Sequence, residues 1–146
     1  MSPPGPDVEY DPPVLPVSWS TIRLFTHLVA ATVWVGGQLV LAGLVPGLRQ
    51  LNPDLPRAVA RRFAVIAWPA FAVLVVTGIW NLLAAPITWD GRHGATLMAK
   101  ITVVAASGLS AFAHGRARSR RALAVFGALA GLTALGALFL GVQLHG

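Results

Sequence analysis

The fold follows from one stretch of the chain, residues 20–45, which reads STIRLFTHLVAATVWVGGQLVLAGLV. An α-helix of about 20 residues or more is long enough to cross the roughly 30 Å hydrocarbon core of a bilayer. The apolar residues of this stretch run on without the strict alternation of a half-buried strand. Pro46 and Gly47 follow it and mark its predicted end. The stretch therefore predicts a membrane-spanning helix.

Three further apolar blocks resemble the first one in length and composition. They cover about residues 63–84, 94–113 and 122–144. The chain of 146 residues is 55% hydrophobic and only 11% charged, whereas a soluble domain carries about 25% charged residues. There are too few charges to coat a soluble globule. The sequence predicts an all-α fold, a polytopic membrane four-helix bundle that occupies residues 19–146.

The N-terminal segment, residues 1–18, differs from the rest in composition. It contains six prolines and three acidic residues, Asp7, Glu9 and Asp11. A cleavable signal peptide would begin with a basic stretch and continue with an apolar one. We expect an extended, disordered tail instead, without a signal peptide.

The basic residues indicate how the bundle is oriented. Two of the three short loops are rich in arginine, whereas the N-terminal tail has none and the remaining loop has only Arg92, offset by Asp90. The eight loop arginines are Arg49, Arg57, Arg61, Arg62, Arg116, Arg118, Arg120 and Arg121. Basic loops stay in the cytoplasm, so both termini are predicted to lie outside. This pattern predicts a multi-pass protein of the cytoplasmic membrane of a bacterium, with the lipid bilayer and not nucleic acid as its partner.

Ionisable residues inside a membrane are costly and need a partner or a function. His27 and Lys100 lie roughly 10 and 9 Å below the predicted outer ends of the first and third helices. Arg23 precedes His27 by one helical turn, and Trp34 and Gln38 continue the same face, which we predict to point inward. Further cations and imidazoles lie at the outer ends of the third and fourth helices: Arg92, His93 and His145.

These outer residues are the candidate binding site. His27, Lys100, Arg23, Arg92, His93 and His145 are the candidate cofactor-binding residues. Simpler alternatives stay open: a structural hydrogen bond for His27, an outward-reaching side chain for Lys100, and solvation of His93 and His145. Histidine in a four-helix bundle can ligate haem iron, with nearby Arg and Lys neutralising the propionates. The prediction is therefore a b-type haem in the outer half of the bundle.

Copper is the alternative cofactor, bound through the imidazoles of His27, His93 and His145. A Cu(I) path normally recruits Met or Cys, and this chain has two Met and no Cys. The lack of Cys also excludes thiol catalysis. No carboxylate lies inside a predicted span, so the sequence does not support classical hydrolysis.

Several motifs, taken together, resemble a known family. The run from His27 through Trp34 to Gly36 and Gly37 looks like the first-helix signature of the CopD-type copper resistance membrane domain. Further elements match in order: Arg61-Arg62-Phe63, Thr77-Gly78 and Leu97-Met98-Ala99-Lys100. This resemblance covers most of the chain and implies copper handling. Full-length CopD proteins carry additional helices.

The same elements are similar to the HemJ-type protoporphyrinogen oxidase, a four-helix membrane protein that binds haem b. The essential first-helix His and third-helix Lys of that family correspond by motif to His27 and Lys100. After Gly37 the two differ, because the Leu-Pro-Arg-containing stretch of that family is replaced here by residues 38–49.

Three functions follow from these features. The first is a haem-dependent oxidoreductase, electron-transfer protein or carrier. The second is copper handling or transport across the cytoplasmic membrane. The third is a structural subunit of a larger membrane complex or a homo-oligomer, with the glycine-rich fourth helix as the interaction surface. That helix contains a GxxxG pattern at Gly127 and Gly131, which favours close packing of helices.

Overall fold

The computed structural model describes residues 17–84 and 91–144, and nearly all of these residues are helical. The four helices are α1 (Trp19–Leu51), α2 (Leu55–Ala84), α3 (Gly91–Arg116) and α4 (Arg120–Gln143). Each is long and apolar enough to cross a membrane. The predicted all-α, four-helix membrane fold is therefore confirmed. Residues 1–16 of the predicted tail, and His145, lie outside the described residues.

All four helices are longer than predicted, and the differences are largest in α1 and α2. Pro46 does not end α1, which continues to Leu51, because one proline removes a single backbone N–H and membrane helices tolerate it. Helix α2 begins at Leu55 instead of near residue 63. Pro56 is its second residue, where the N–H has no helical partner in any case. Three arginines assigned to the loop therefore lie in the first turns of α2: Arg57, Arg61 and Arg62.

Short turns make two antiparallel helix pairs. Between α1 and α2, the Asn52 side chain accepts a hydrogen bond from the Asp54 backbone N–H at 2.8 Å. Between α3 and α4, Ser119 caps α4 by accepting from the Ala122 N–H at 3.1 Å. Connections this short leave successive helices antiparallel and adjacent. Both arginine-rich turns lie at one end of the bundle, which the charge rule assigns to the cytoplasm; the opposite end, where α1 begins, is called the outer end below.

The outward surface of the helices is apolar. Large side chains such as Phe25, Val65, Leu109 and Phe139 are each more than 60% exposed. Soluble monomers rarely expose contiguous apolar patches of more than a few hundred Å². A surface of this kind is stable against lipid hydrocarbon, which agrees with the four predicted spans.

Trp34 connects α1 to the three other helices. Its indole Nε1 donates to the Ser107 hydroxyl of α3 at 3.1 Å. Ser107 in turn donates to the Ala130 carbonyl of α4 at 3.3 Å. The indole also packs on Phe71 of α2, with ring centroids 4.4 Å apart. Trp34 and Ser107 are only 3% and 1% exposed, so this contact is the centre of the core.

Packing is dense within each helix pair and thinner between the pairs. Helix α1 packs along α2 and α3 along α4, while the main contact between the pairs joins α1 to α4. Phe71 of α2 also presses on Gly108 of α3, where an added Cβ would lie 2.7 Å from the ring. Glycine is favoured there because the Phe71 ring also packs against Trp34 and has little room to move.

Within the described chain, the two glycines of the GxxxG pattern of α4 have different surroundings. Gly127 accommodates the imidazole of His114, whose ring lies 3.1 Å from where a Cβ would stand. No described residue comes within 4 Å of the corresponding position at Gly131. Within the described chain the two glycines therefore serve different surfaces.

Replacement of Ser107 by Ala is expected to destabilise the bundle by about 1 kcal/mol, the scale of an interhelical hydrogen bond in a membrane protein. The variant leaves the buried Trp34 N–H without its acceptor. Thr102→Ala is the matched control, since that exposed hydroxyl donates within its own helix to Met98. Unfolding in mixed detergent micelles, followed by circular dichroism, measures both. Equal losses would contradict the central role of the Trp34–Ser107 bond.

Two glycine-to-alanine substitutions are expected to have opposite signs. Gly108→Ala drives a methyl group into Phe71 and should cost about 1–3 kcal/mol. Gly131→Ala meets open space and should stabilise α4 by up to about 1 kcal/mol through helix propensity. The same unfolding experiment compares them. A Gly108→Ala variant as stable as Gly131→Ala would show that Phe71 is not confined.

Candidate functional site

The predicted inward stripe of α1 is confirmed. Trp34 is buried, and Arg23, His27 and Gln38 are half-buried. Gln38 turns back on its own helix and donates to the Trp34 carbonyl at 3.0 Å. The other two polar residues of the stripe instead contact α2, so the polar contacts between helices lie in the outer half of the stripe.

His27 is held by a hydroxyl of α2. Its Nδ1 lies 2.8 Å from Thr77 Oγ1. The Thr77 hydroxyl lies 2.7 Å from the Val73 carbonyl, to which it donates its single hydrogen. Thr77 can then only accept from His27, so Nδ1 carries the proton and Nε2 is the basic ring nitrogen. A histidine prepared to ligate a metal through Nε2 has this arrangement.

Arg23 makes a second contact one turn nearer the outer end. Its Nε donates to the side-chain oxygen of Asn81 at 2.5 Å. The guanidinium also lies 5.8 Å from the ring centroid of Trp80. Arg23 and His27 are four residues apart on α1, and Asn81 and Thr77 are four apart on the antiparallel α2. The Arg23–Asn81 and His27–Thr77 contacts therefore join α1 to α2 at two successive helical turns.

Lys100 lies on the other helix pair. Its Nζ comes within 3.3 Å of the position that a Cβ would occupy at Gly141 of α4. Gly141 is close to the outer end of α4, which ends at Gln143. The half-buried lysine side chain therefore extends toward the outer end, over the part of α4 where Gly141 has no side chain. Its ammonium group is directed toward the interface between membrane and water.

The Trp34–Ser107 hydrogen bond sets the relative depth of His27 and Lys100. His27 precedes Trp34 by seven residues, and Lys100 precedes Ser107 by seven. Because α1 and α3 run in the same direction, both residues lie about 10 Å outward of that bond. Seven residues are close to two full turns, so each lies on the same helix face as its core neighbour. This agrees with the predicted common depth.

The remaining predicted site residues are less constrained. Arg92 and His93 are exposed in the first turn of α3, and His145 is outside the described residues. Among residues 17–84 and 91–144, no three His, Asp or Glu side chains come together as a metal-binding group. The predicted copper set of His27, His93 and His145 includes a residue outside the described part of the chain, so it stays a prediction.

Three partners in the bundle were not anticipated from the sequence: Thr77, Asn81 and Ser107. The sequence signal for the first two is their spacing: Thr77 and Asn81 are four residues apart on α2, as the polar pair Arg23 and His27 is on α1. The signal for Ser107 was a seven-residue repeat on α3 that comprises His93, Lys100, Ser107 and His114. Lys100, Ser107 and His114 of this repeat contact α4.

Two open grooves on the bundle surface contain none of the six predicted site residues. One, of about 260 Å³, lies between α1 and α2 and is lined by apolar side chains and Thr26. The other, of about 340 Å³, lies between the inner halves of α2 and α3.

Comparison with known proteins does not assign this chain to a family. The chain matches no protein-family model, no curated protein and no solved structure.

In a Thr77→Val variant, His27 is expected to populate both neutral tautomers, because valine cannot accept a hydrogen bond from Nδ1. In ¹⁵N-histidine-labelled protein in bilayers, solid-state NMR should show a protonated Nδ1 for His27 in the wild type and a mixture in the variant. Thr77→Ser should keep the wild-type signal. His114 is an internal reference, since its Nδ1 donates to the Leu123 carbonyl at 2.9 Å. A wild-type His27 protonated on Nε2 would contradict the assignment.

Proposed function

We propose that this integral membrane protein binds a b-type haem in the outer half of the bundle and acts in redox chemistry or as a carrier. The observation that carries the proposal is the His27–Thr77 contact at 2.8 Å. The Thr77 hydroxyl favours the tautomer in which Nδ1 carries the proton and Nε2 is basic, and a basic imidazole nitrogen is what a haem iron requires as a ligand.

The cations near His27 support the same proposal. Arg23 lies one turn outward on the same face, and Lys100 lies at the same depth on the other helix pair. Haem propionates are anionic and lie best at the polar interface, where these two side chains would pair with them. His93 or His145 is the candidate for a second axial ligand.

The thin contact between the helix pairs also favours a flat cofactor. Cofactor sites in helical bundles are built from side chains on facing helices. His27 belongs to the α1–α2 pair and Lys100 to the α3–α4 pair, so a group placed between the pairs would meet both. Bound haem supplies one-electron redox chemistry. The chain itself orients the ligand through Thr77 and places positive charge through Arg23 and Lys100.

The resemblance of the His27 and Lys100 motifs to HemJ-type proteins agrees with this proposal, whereas the resemblance to CopD-type proteins suggests copper handling. The two are distinguished by metal content. A third possibility, a structural subunit, would leave the protein without a cofactor of its own.

The proposal predicts a Soret band in the protein purified after expression with haem supply, with about one iron per chain. His27→Ala should abolish the band. His114→Ala should retain it, because that histidine lies at the opposite end of the bundle. Arg23→Gln and Lys100→Gln should each weaken haem binding by about tenfold, the scale of one charge-assisted hydrogen bond.

Four results would overturn the proposed haem site. A wild-type protein without a Soret band, or a His27→Ala variant that keeps it, would exclude the assigned ligand. Copper found by metal analysis, and lost in His27→Ala, would establish copper handling instead. Purification as a stoichiometric complex without any metal would favour the structural-subunit role.

A further inference from the structure

The inner end of the bundle carries a concentration of positive charge. Four arginines lie near the α1–α2 turn and four near the α3–α4 turn, and within the described residues the sole acidic side chain is Asp54. All eight guanidiniums lie at the level of the cytoplasmic headgroups under the predicted orientation. This is the leaflet surface that carries anionic lipid.

One groove runs from the hydrocarbon region into this charged zone. It has a volume of about 340 Å³ and is lined by Trp68 of α2 and by Ala111, Phe112, Gly115 and Arg116 of α3. The Trp68 and Phe112 rings meet edge to face at 6.4 Å. They stay 39% and 47% exposed, so the groove has apolar walls open to the lipid.

Arg116 closes the inner end of the groove. Its guanidinium stacks on the Phe112 ring, with Cζ 3.5 Å from the ring centroid. The stack holds the planar cation at the end of the apolar wall while its N–H groups stay available at the edge. A guanidinium presents these donors in a fork that fits two oxygens of a phosphate.

Helix α2 carries a second cation toward the inner end, outside the residues that line the groove. Arg61 precedes Trp68 by seven residues and therefore lies on the same face of α2, about 10 Å nearer the inner end. Arg116 follows Phe112 by four residues, about 6 Å nearer the same end. The backbones of the two arginines thus lie on the inner side of the aromatic pair, one on each helix, and the Arg116 side chain folds back onto the Phe112 ring.

We propose that this groove binds one phospholipid with an anionic headgroup, such as phosphatidylglycerol. An acyl chain lies against Trp68 and Phe112, and the phosphate lies between Arg116 and Arg61. The apolar walls account for a lipid in preference to free phosphate. The unbalanced positive charge accounts for an anionic headgroup in preference to a zwitterionic one.

Trp68 provides the reporter. In a variant with Trp19, Trp80 and Trp89 replaced by Phe, the remaining indoles are Trp68 and the buried Trp34. The protein is reconstituted in phosphatidylcholine vesicles with increasing amounts of a lipid that carries bromine on its acyl chains. Brominated phosphatidylglycerol is expected to quench Trp68 at an at least about fivefold lower mole fraction than brominated phosphatidylcholine, since a single basic residue near the surface contributes about that factor.

Variants test the assigned cations in the same background. Arg116→Gln should remove most of the fivefold preference, and Arg61→Gln should reduce it. Arg116→Lys should be intermediate because it keeps the charge but loses the planar stack. Arg118→Gln is the matched control, since it removes an equal charge from the same turn outside the groove, and it should keep the preference.

Three outcomes would overturn the proposal. Equal quenching by the two brominated lipids would exclude headgroup selectivity. Equal effects of Arg116→Gln and Arg118→Gln would reduce the preference to general surface charge. Displacement of the brominated lipid by inorganic phosphate at constant ionic strength would assign the site to free phosphate.

Discussion

The bundle depends on the burial of one indole, that of Trp34. Its N–H lies deep in an apolar interior, where a polar group without a partner costs several kcal/mol. Ser107 accepts from it at 3.1 Å and passes the interaction on to the Ala130 carbonyl. Phe71 covers the face of the ring and extends to Gly108. Because these contacts reach all four helices, they fix the depth and rotation of each helix relative to the others.

The polar residues of the outer half take their positions from this core. His27 lies two turns outward of Trp34, and Lys100 lies two turns outward of Ser107. Seven residues are close to two full turns of an α-helix, so each of these residues lies on the same helix face as its core neighbour. Every buried side-chain nitrogen or oxygen of residues 17–84 and 91–144 has a hydrogen-bond partner. Because these buried polar atoms are hydrogen-bonded, the bundle can hold a histidine and two cations in the outer half of the membrane without losing its packing.

The two ends of the bundle use arginine differently. At the outer end, Arg23 turns inward and pairs with Asn81, so its charge belongs to the interior site. At the inner end, Arg116 stacks on Phe112 at the protein surface, so its charge faces the lipid headgroups. The difference follows from the surroundings of each residue: an amide of a neighbouring helix in one case, and an open groove in the other.

The sequence by itself determined the number of spans and the inward stripe of α1, because length, composition and helical period are local properties. It misplaced the beginning of α2 and the end of α1, since local rules treat Pro46 as a helix end while the surrounding helix tolerates it. Only the tertiary structure decided which polar groups meet. Thr77 holds His27 and Gly141 accommodates Lys100 because the helices pack at one particular rotation and depth. That choice depends on side chains far apart in the chain, such as Trp34 and Ser107, which no local pattern connects.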